Sequence, residues 1–412
     1  MKSRTLFYLI LITFLATFIP ALHAQTFSVI HAFTGGADGG GPSAGVTIRG
    51  NTLYGTTSGP TCGTVYQLTK AGSNWDFSTL AALPNNCNPL ARVVFGPDGH
   101  LYGTSGHGGT YTWGTVFKLT PQVGPCRDAA CYWTVNDLHD FGSGTDGQYP
   151  GLGDLIWDQQ GNIYGTTAYG GAPNCGFSGC GTVYELTPSG NGYTESVLYN
   201  FSGSDGEYPA AGLVFDNKGN LFGTTLAGGS TDAGTVFELT YVPGVGWTER
   251  VVYDFPNVDD GGSPQGGLIF DSAGNLYGTT QGGGSGGGGT VFELSPSGDT
   301  WTFKVLYSFN GWSSYCGPVA TLTMDGAGNL YGTTICDGIY QYQGGNIFEL
   351  SNTENGWVYT SLHDFTVGTD GGWPVSNVSI DTDGTLYGTA QAGGDMNCGN
   401  GSGCGVVWMI KP

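Results

Sequence analysis

The chain has 412 residues, of which 77 are Gly, 32 are Asp or Glu and only 11 are Lys or Arg, giving a formal charge of −21. Gly at about 19% against a usual share of about 7%, with no three-residue period, excludes collagen and disfavours helices, while 13% aromatic residues exclude a disordered chain. The negative charge disfavours nucleic acid and anionic membrane surfaces as partners.

Residues 1–24 read as a secretory signal peptide: Lys2 and Arg4 precede the apolar run Leu6 to Ile19, Pro20 breaks it, and Ala24 precedes the expected cut. Removing that segment leaves 9 basic residues and a charge of −23. The run is shorter than the roughly 20 residues needed to span a bilayer, so a secreted or periplasmic protein without membrane insertion is expected. Ten Cys suit an oxidising compartment and pair by proximity as Cys62 with Cys87, Cys126 with Cys131, Cys175 with Cys180, Cys316 with Cys336, and Cys398 with Cys404.

Residues 25–412 are dominated by one repeated phrase. It occurs at Leu53-Tyr54-Gly55-Thr56, Leu101-Tyr102-Gly103-Thr104, Ile163-Tyr164-Gly165-Thr166, Leu221-Phe222-Gly223-Thr224, Leu276-Tyr277-Gly278-Thr279, Leu330-Tyr331-Gly332-Thr333 and Leu386-Tyr387-Gly388-Thr389. The aromatic residues are 48, 62, 58, 55, 54 and 56 positions apart. Four strand-like runs surround each copy, as in Gly212–Asp216, Leu221–Thr225, Gly234–Leu239 and Trp247–Phe255. Seven units of this size predict an all-β fold, a seven-bladed β-propeller with four antiparallel strands per blade. Phe27 to Phe33 matches an outermost strand, and the seventh copy stops at its third strand, Gly405 to Ile410. An N-terminal outer strand completing the C-terminal blade would close the ring and remove its edges.

The phrase Gly-Asn-Leu-Tyr-Gly-Thr-Thr, a Gly-Gly loop and Gly-Thr-Val-Phe-Glu-Leu resemble the Gloeo/Verruco (GloVer) tandem repeat of exported bacterial proteins over nearly all of residues 26–412. The resemblance implies an exported repeat protein and brings no catalytic residues with it. This chain shows none of the C-terminal sorting or anchoring segments found in some members, so no such anchor is expected.

One face of the predicted ring collects the loops between second and third strands and the crossovers between blades. Five crossovers carry Asp-Gly-x-x-Pro, beginning at Asp38, Asp146, Asp205, Asp260 and Asp370. Turn chemistry explains the repeat itself. The sharper reading is a ring of carboxylates with Tyr149, Tyr208 and Trp373 interleaved, suited to stacking on and hydrogen-bonding a sugar. Trp113, Tyr169 and Trp312 lie on the same face outside the repeat pattern and are stronger candidates than any repeated residue. No cofactor is expected; calcium is a lesser alternative, since no Asp-x-Asp-x-Asp run occurs and turns such as Asp271 to Asn275 serve as hairpins.

The metalloprotease motif His-Glu-x-x-His is absent. His31, His139 and His363 occupy the place of Tyr199, Tyr253 and Tyr307, and Glu185, Glu238, Glu293 and Glu349 recur in third strands, as structural residues do. The expected protein is therefore a monomeric, non-catalytic binding or scaffold protein for a glycan or an extracellular protein. The alternative is a polysaccharide hydrolase or lyase using carboxylates from different blades.

Overall fold

The structure is a computed structural model that describes residues 25–59, 62–122, 132–142, 144–150, 152–171, 175, 178–190, 192–256, 259–311, 316–336 and 344–412. Seven four-stranded antiparallel sheets form a ring of blades, and the described residues contain no α-helix. The fourth blade is typical, running from Val214–Phe215 at the axis through Leu221–Thr225 and Thr235–Val242 to Gly246–Asp254 at the rim. In the seventh blade the outermost place is taken by Thr26–Ala32, paired antiparallel with Val406–Lys411. The ring is thus closed as the sequence predicts.

Each letter of the repeated phrase has a task. The Tyr hydroxyl reaches the Asp of the preceding hairpin, as in Tyr164 to Asp158 (3.1 Å) and Tyr102 to Asp98 (2.8 Å). The Gly lies beneath an aromatic ring of the third strand, so that a Cβ on Gly223 would collide with Phe237 and one on Gly388 with Trp408. The first Thr crosses to the next blade: Thr166 donates to the Ala211 carbonyl (2.8 Å), and Thr224 to that of Gly266 (3.1 Å). The second Thr pairs within its own blade, Thr225 with Thr235 at 2.8 Å. The innermost strand, Val214–Phe215, is shorter than the predicted 212–216. The Ala211 carbonyl just ahead of it serves the preceding blade.

The core is a set of seams between neighbouring blades. Tyr164 and Val183 of the third blade pack on Leu213, Leu221, Phe237 and Leu239 of the fourth. Phe33, Tyr387 and Val407 similarly pack on Val46, Leu53 and Tyr66 across the closure. Burial of each such side chain stabilises the ring by about 1.5–3 kcal/mol.

Candidate functional site

The five crossover carboxylates are turned towards the rim. Asp146 accepts from His139 Nε2 (3.1 Å) and the Gly142 amide (2.5 Å), while Asp205 accepts from the Tyr199 hydroxyl (2.5 Å) and the Ser202 amide (2.8 Å). Asp260 accepts from the Tyr253 hydroxyl (2.5 Å). Asp38 and Asp370 hold the Thr34 and Thr366 amides and lie beside His31 and His363. Imidazole and phenol are interchangeable here because both present an N–H or O–H at the ring tip. These Asp side chains fasten the crossover to the outermost strand and do not form a ring at the mouth.

The residue before each crossover Pro does stand at the mouth. The seven equivalents are Gly41, Asn88, Tyr149, Tyr208, Ser263, Gly317 and Trp373. The Tyr149 amide donates to the Trp113 carbonyl (2.8 Å) and its own carbonyl accepts from Ala168 (3.2 Å); Tyr208 is pinned likewise by Cys180 and Leu226. This geometry requires positive φ at Gly41 (61°), Asn88 (64°), Tyr149 (62°), Tyr208 (56°), Ser263 (55°) and Trp373 (55°). Gly41 takes that conformation without a side chain, whereas bulky residues are strained in it. The backbone therefore gives no reason for Tyr149, Tyr208 and Trp373 to be aromatic.

The rings of Tyr149 and Tyr208 and those of neighbouring loops form a crescent over the second to fourth blades. His107 meets Tyr149 at 5.0 Å, Tyr149 meets Tyr169 at 5.9 Å, and Tyr169 meets Tyr208 at 5.2 Å, all edge to face. Asn88 Nδ2 donates to the Tyr149 hydroxyl (2.8 Å) and fixes its tip. Burial pushes the Tyr149 hydroxyl above its usual pKa, so it stays a neutral donor. Trp113 and Tyr169 remain 42% and 38% exposed, leaving ring area free for contact. Trp373, 42% exposed, lines a separate cavity of about 330 Å³ with Ser58, Gln391 and Ser402, between the seventh and first blades. Trp312 lies outside the described residues.

Below the mouth is a chamber of about 570 Å³ walled in every blade by residues of the segment leading into the innermost strand, among them Leu90, Leu152, Val319 and Val375. Arg92 forms part of its floor. Its guanidinium binds Asp154 through Nε (2.8 Å) and Nη2 (2.6 Å), and its amide donates to the same carboxylate (2.9 Å). On the other side the Asn377 side-chain oxygen, oriented by the hydrogen-bond network, accepts from Arg92 at 3.0–3.2 Å. The sequence reading missed this trio. Its signal was a cation, an anion and an amide where the fourth and fifth blades have Gly212 and Gly267.

Disulfides join Cys62 to Cys87, Cys175 to Cys180, Cys316 to Cys336 and Cys398 to Cys404; the expected Cys126–Cys131 pair lies outside the described residues. Two of them tie a crossover to a loop on the candidate face. Four such bonds mark an oxidising compartment, extracellular or periplasmic. No helix among the described residues is long and apolar enough to cross a membrane. The hairpin carboxylates considered for calcium are taken up locally, Asp271 by the Ala273 amide and by the Asn275 amide and side chain at 2.8–2.9 Å.

These features define a disulfide-bearing seven-bladed propeller whose aromatic side chains crowd one mouth. Residues 17–177 and 172–401 match the Gloeobacter/Verrucomicrobia repeat, and the chain belongs to that family. No curated protein matches it significantly. Among solved structures, it is similar to a protein of unknown function from Dyadobacter fermentans (12% identity, 95% of this chain and 100% of that one, TM-score 0.48). It is also similar to a putative 6-phosphogluconolactonase from Bacteroides uniformis (13%, 78% and 84%, TM-score 0.47). A third is the aldose sugar dehydrogenase from Streptomyces coelicolor in its PQQ-bound form (10%, 94% and 98%, TM-score 0.43). At such identities the likeness concerns the fold alone.

Proposed function

We propose that this is an exported, non-catalytic binding protein that holds a neutral glycan across the propeller mouth. The observation that carries the reading is the use of Tyr149, Tyr208 and Trp373 at left-handed positions where Gly41 does the same backbone task. Strain kept at a surface site points to a use for the side chain. Exposed rings offer apolar faces to a sugar ring, and the Tyr hydroxyls and Asn88 offer hydrogen bonds. The charge of −21 favours a neutral ligand over an anionic one.

The test is the triple variant Tyr149→Gly, Tyr208→Gly, Trp373→Gly on a glycan array and by calorimetry. Gly suits these torsions, so the variant should keep its melting temperature while losing at least tenfold in affinity. Equal binding by parent and variant, or no binding by the parent, would overturn the reading. The hydrolase reading has one observation in its favour: burial and the charge of Asp232 hold the Glu207 carboxyl above the usual carboxylate range, next to Tyr208. Release of new reducing ends by the parent, abolished in Glu207→Gln, would put hydrolysis in place of binding.

A further inference from the structure

The rim carries the same pair of side chains at three seams. His31 faces Asp38 at 3.4 Å, His139 faces Asp146 at 3.1 Å, and His363 faces Asp370 at 3.2 Å. At the first and third, an aromatic ring from the adjoining outermost strand lies flat on the imidazole: Phe77 on His31 (4.2 Å, 9°) and Phe27 on His363 (3.6 Å, 3°). At the second, the repeat position of Phe77 and Phe27 belongs to Glu195. The two rings show that the fold does not need a carboxylate there.

The exchange gathers His139 Nε2, an Asp146 oxygen and a Glu195 oxygen within 4.8 Å of one another. Oε1 of Glu195 is shielded from solvent and accepts no hydrogen bond among the described residues. A buried acceptor of this kind is costly unless something occupies it. We propose that His139, Asp146 and Glu195 form a binding site for a divalent cation of the zinc class.

The donor set selects the ion. One imidazole nitrogen with two carboxylates suits zinc and its first-row neighbours, whereas calcium and magnesium call for oxygen ligands. Bonds of about 2.0–2.2 Å place ligand atoms roughly 3.3 Å apart, which His139 and Asp146 already approach, so a small rotation of Glu195 completes the set. The Gly142 amide anchors the other Asp146 oxygen, orienting the ligand as an outer-shell partner does. His139 and Asp146 keep 19% and 26% exposure, which leaves the ion a path in and a water position. The ion would clip the outermost strands of the second and third blades together. That seam lacks the usual Thr bridge, because Thr104 Oγ1 is buried without a partner among the described residues.

The experiment uses the tag-free chain after chelator treatment, titrated with zinc chloride by calorimetry and with cobalt(II) by visible absorption. The parent should bind one equivalent, develop a cobalt d–d band and melt at a higher temperature with zinc. Glu195→Phe, which installs the ring of the other two seams, should match the metal-free parent in melting temperature and lose the equivalent. If that variant does not fold, Glu195→Gln should weaken zinc at least 30-fold. A parent with no zinc equivalent, or an unchanged equivalent in the folded Glu195 variant, would overturn the proposal.

Discussion

The seam between the second and third blades and the seam between the third and fourth begin from the same repeat and diverge. Both bring a Glu to the rim beside a crossover Asp, Glu195 near Asp146 and Glu249 near Asp205. Only the first has an imidazole; the second has the Tyr199 hydroxyl, which already donates to Asp205. Burial, followed by the charge of the neighbouring Asp, pushes both the Glu195 and the Glu249 carboxyl up to about 7, so the imidazole and not the carboxyl sets the first site apart. The Thr bridges differ too, since Thr166 reaches Ala211 and Thr104 reaches nothing among the described residues. Asp154 and Arg92 join the first seam at the axis instead. One exchanged ring and one missing Thr bridge distinguish what holds the two pairs of blades together.

Three changes sharpen that contrast. The largest effect is expected from Tyr199→His, which gives the second seam the missing nitrogen: zinc stoichiometry should rise from one to two by calorimetry. Next comes pH. The Glu249 carboxyl is raised above the roughly 4.3 of an unfolded chain, so its stabilisation is full below that value and lost as pH rises through about 7. Between pH 5 and 8 the parent should lose about 1–2 kcal/mol, discounted for partial exposure, that Glu249→Gln does not lose. Urea midpoints of the two proteins with chelator present would measure it, and parallel pH curves would contradict it. The smallest effect is at the bridges: Thr166→Val should destabilise by about 1 kcal/mol, while Thr104→Val should be neutral or slightly stabilising.

The frame of these seams was legible in the chain, because the Tyr-Gly-Thr phrase repeats at blade spacing and Phe27 to Phe33 supplies the strand missing after Ile410. The extra residue in the third blade was also there to be counted. Pro150 stands five positions before Leu155, whereas Pro209 stands four before Leu213. That surplus accompanies the orphaned Thr104. The site was less legible for a physical reason. Asp-Gly-x-x-Pro reads as a turn whatever the residue before Pro is, and nothing in the letters states that Tyr149 must adopt positive φ. Nor did the motif show which way the Asp points; its partner is a His or Tyr six or seven residues earlier, as in Tyr199 with Asp205 and His363 with Asp370.

The pairing of Thr26–Ala32 with Val406–Lys411 has a consequence for synthesis. A strand made near the beginning cannot be used until almost the whole chain exists, so the last blade is completed by the most distant contact available. Such contacts form late because the intervening chain must first be ordered. A chain interrupted anywhere earlier presents two bare sheet edges, one at each end of an unfinished arc. Incomplete chains, more than unfolded ones, are the species of this protein most prone to aggregate.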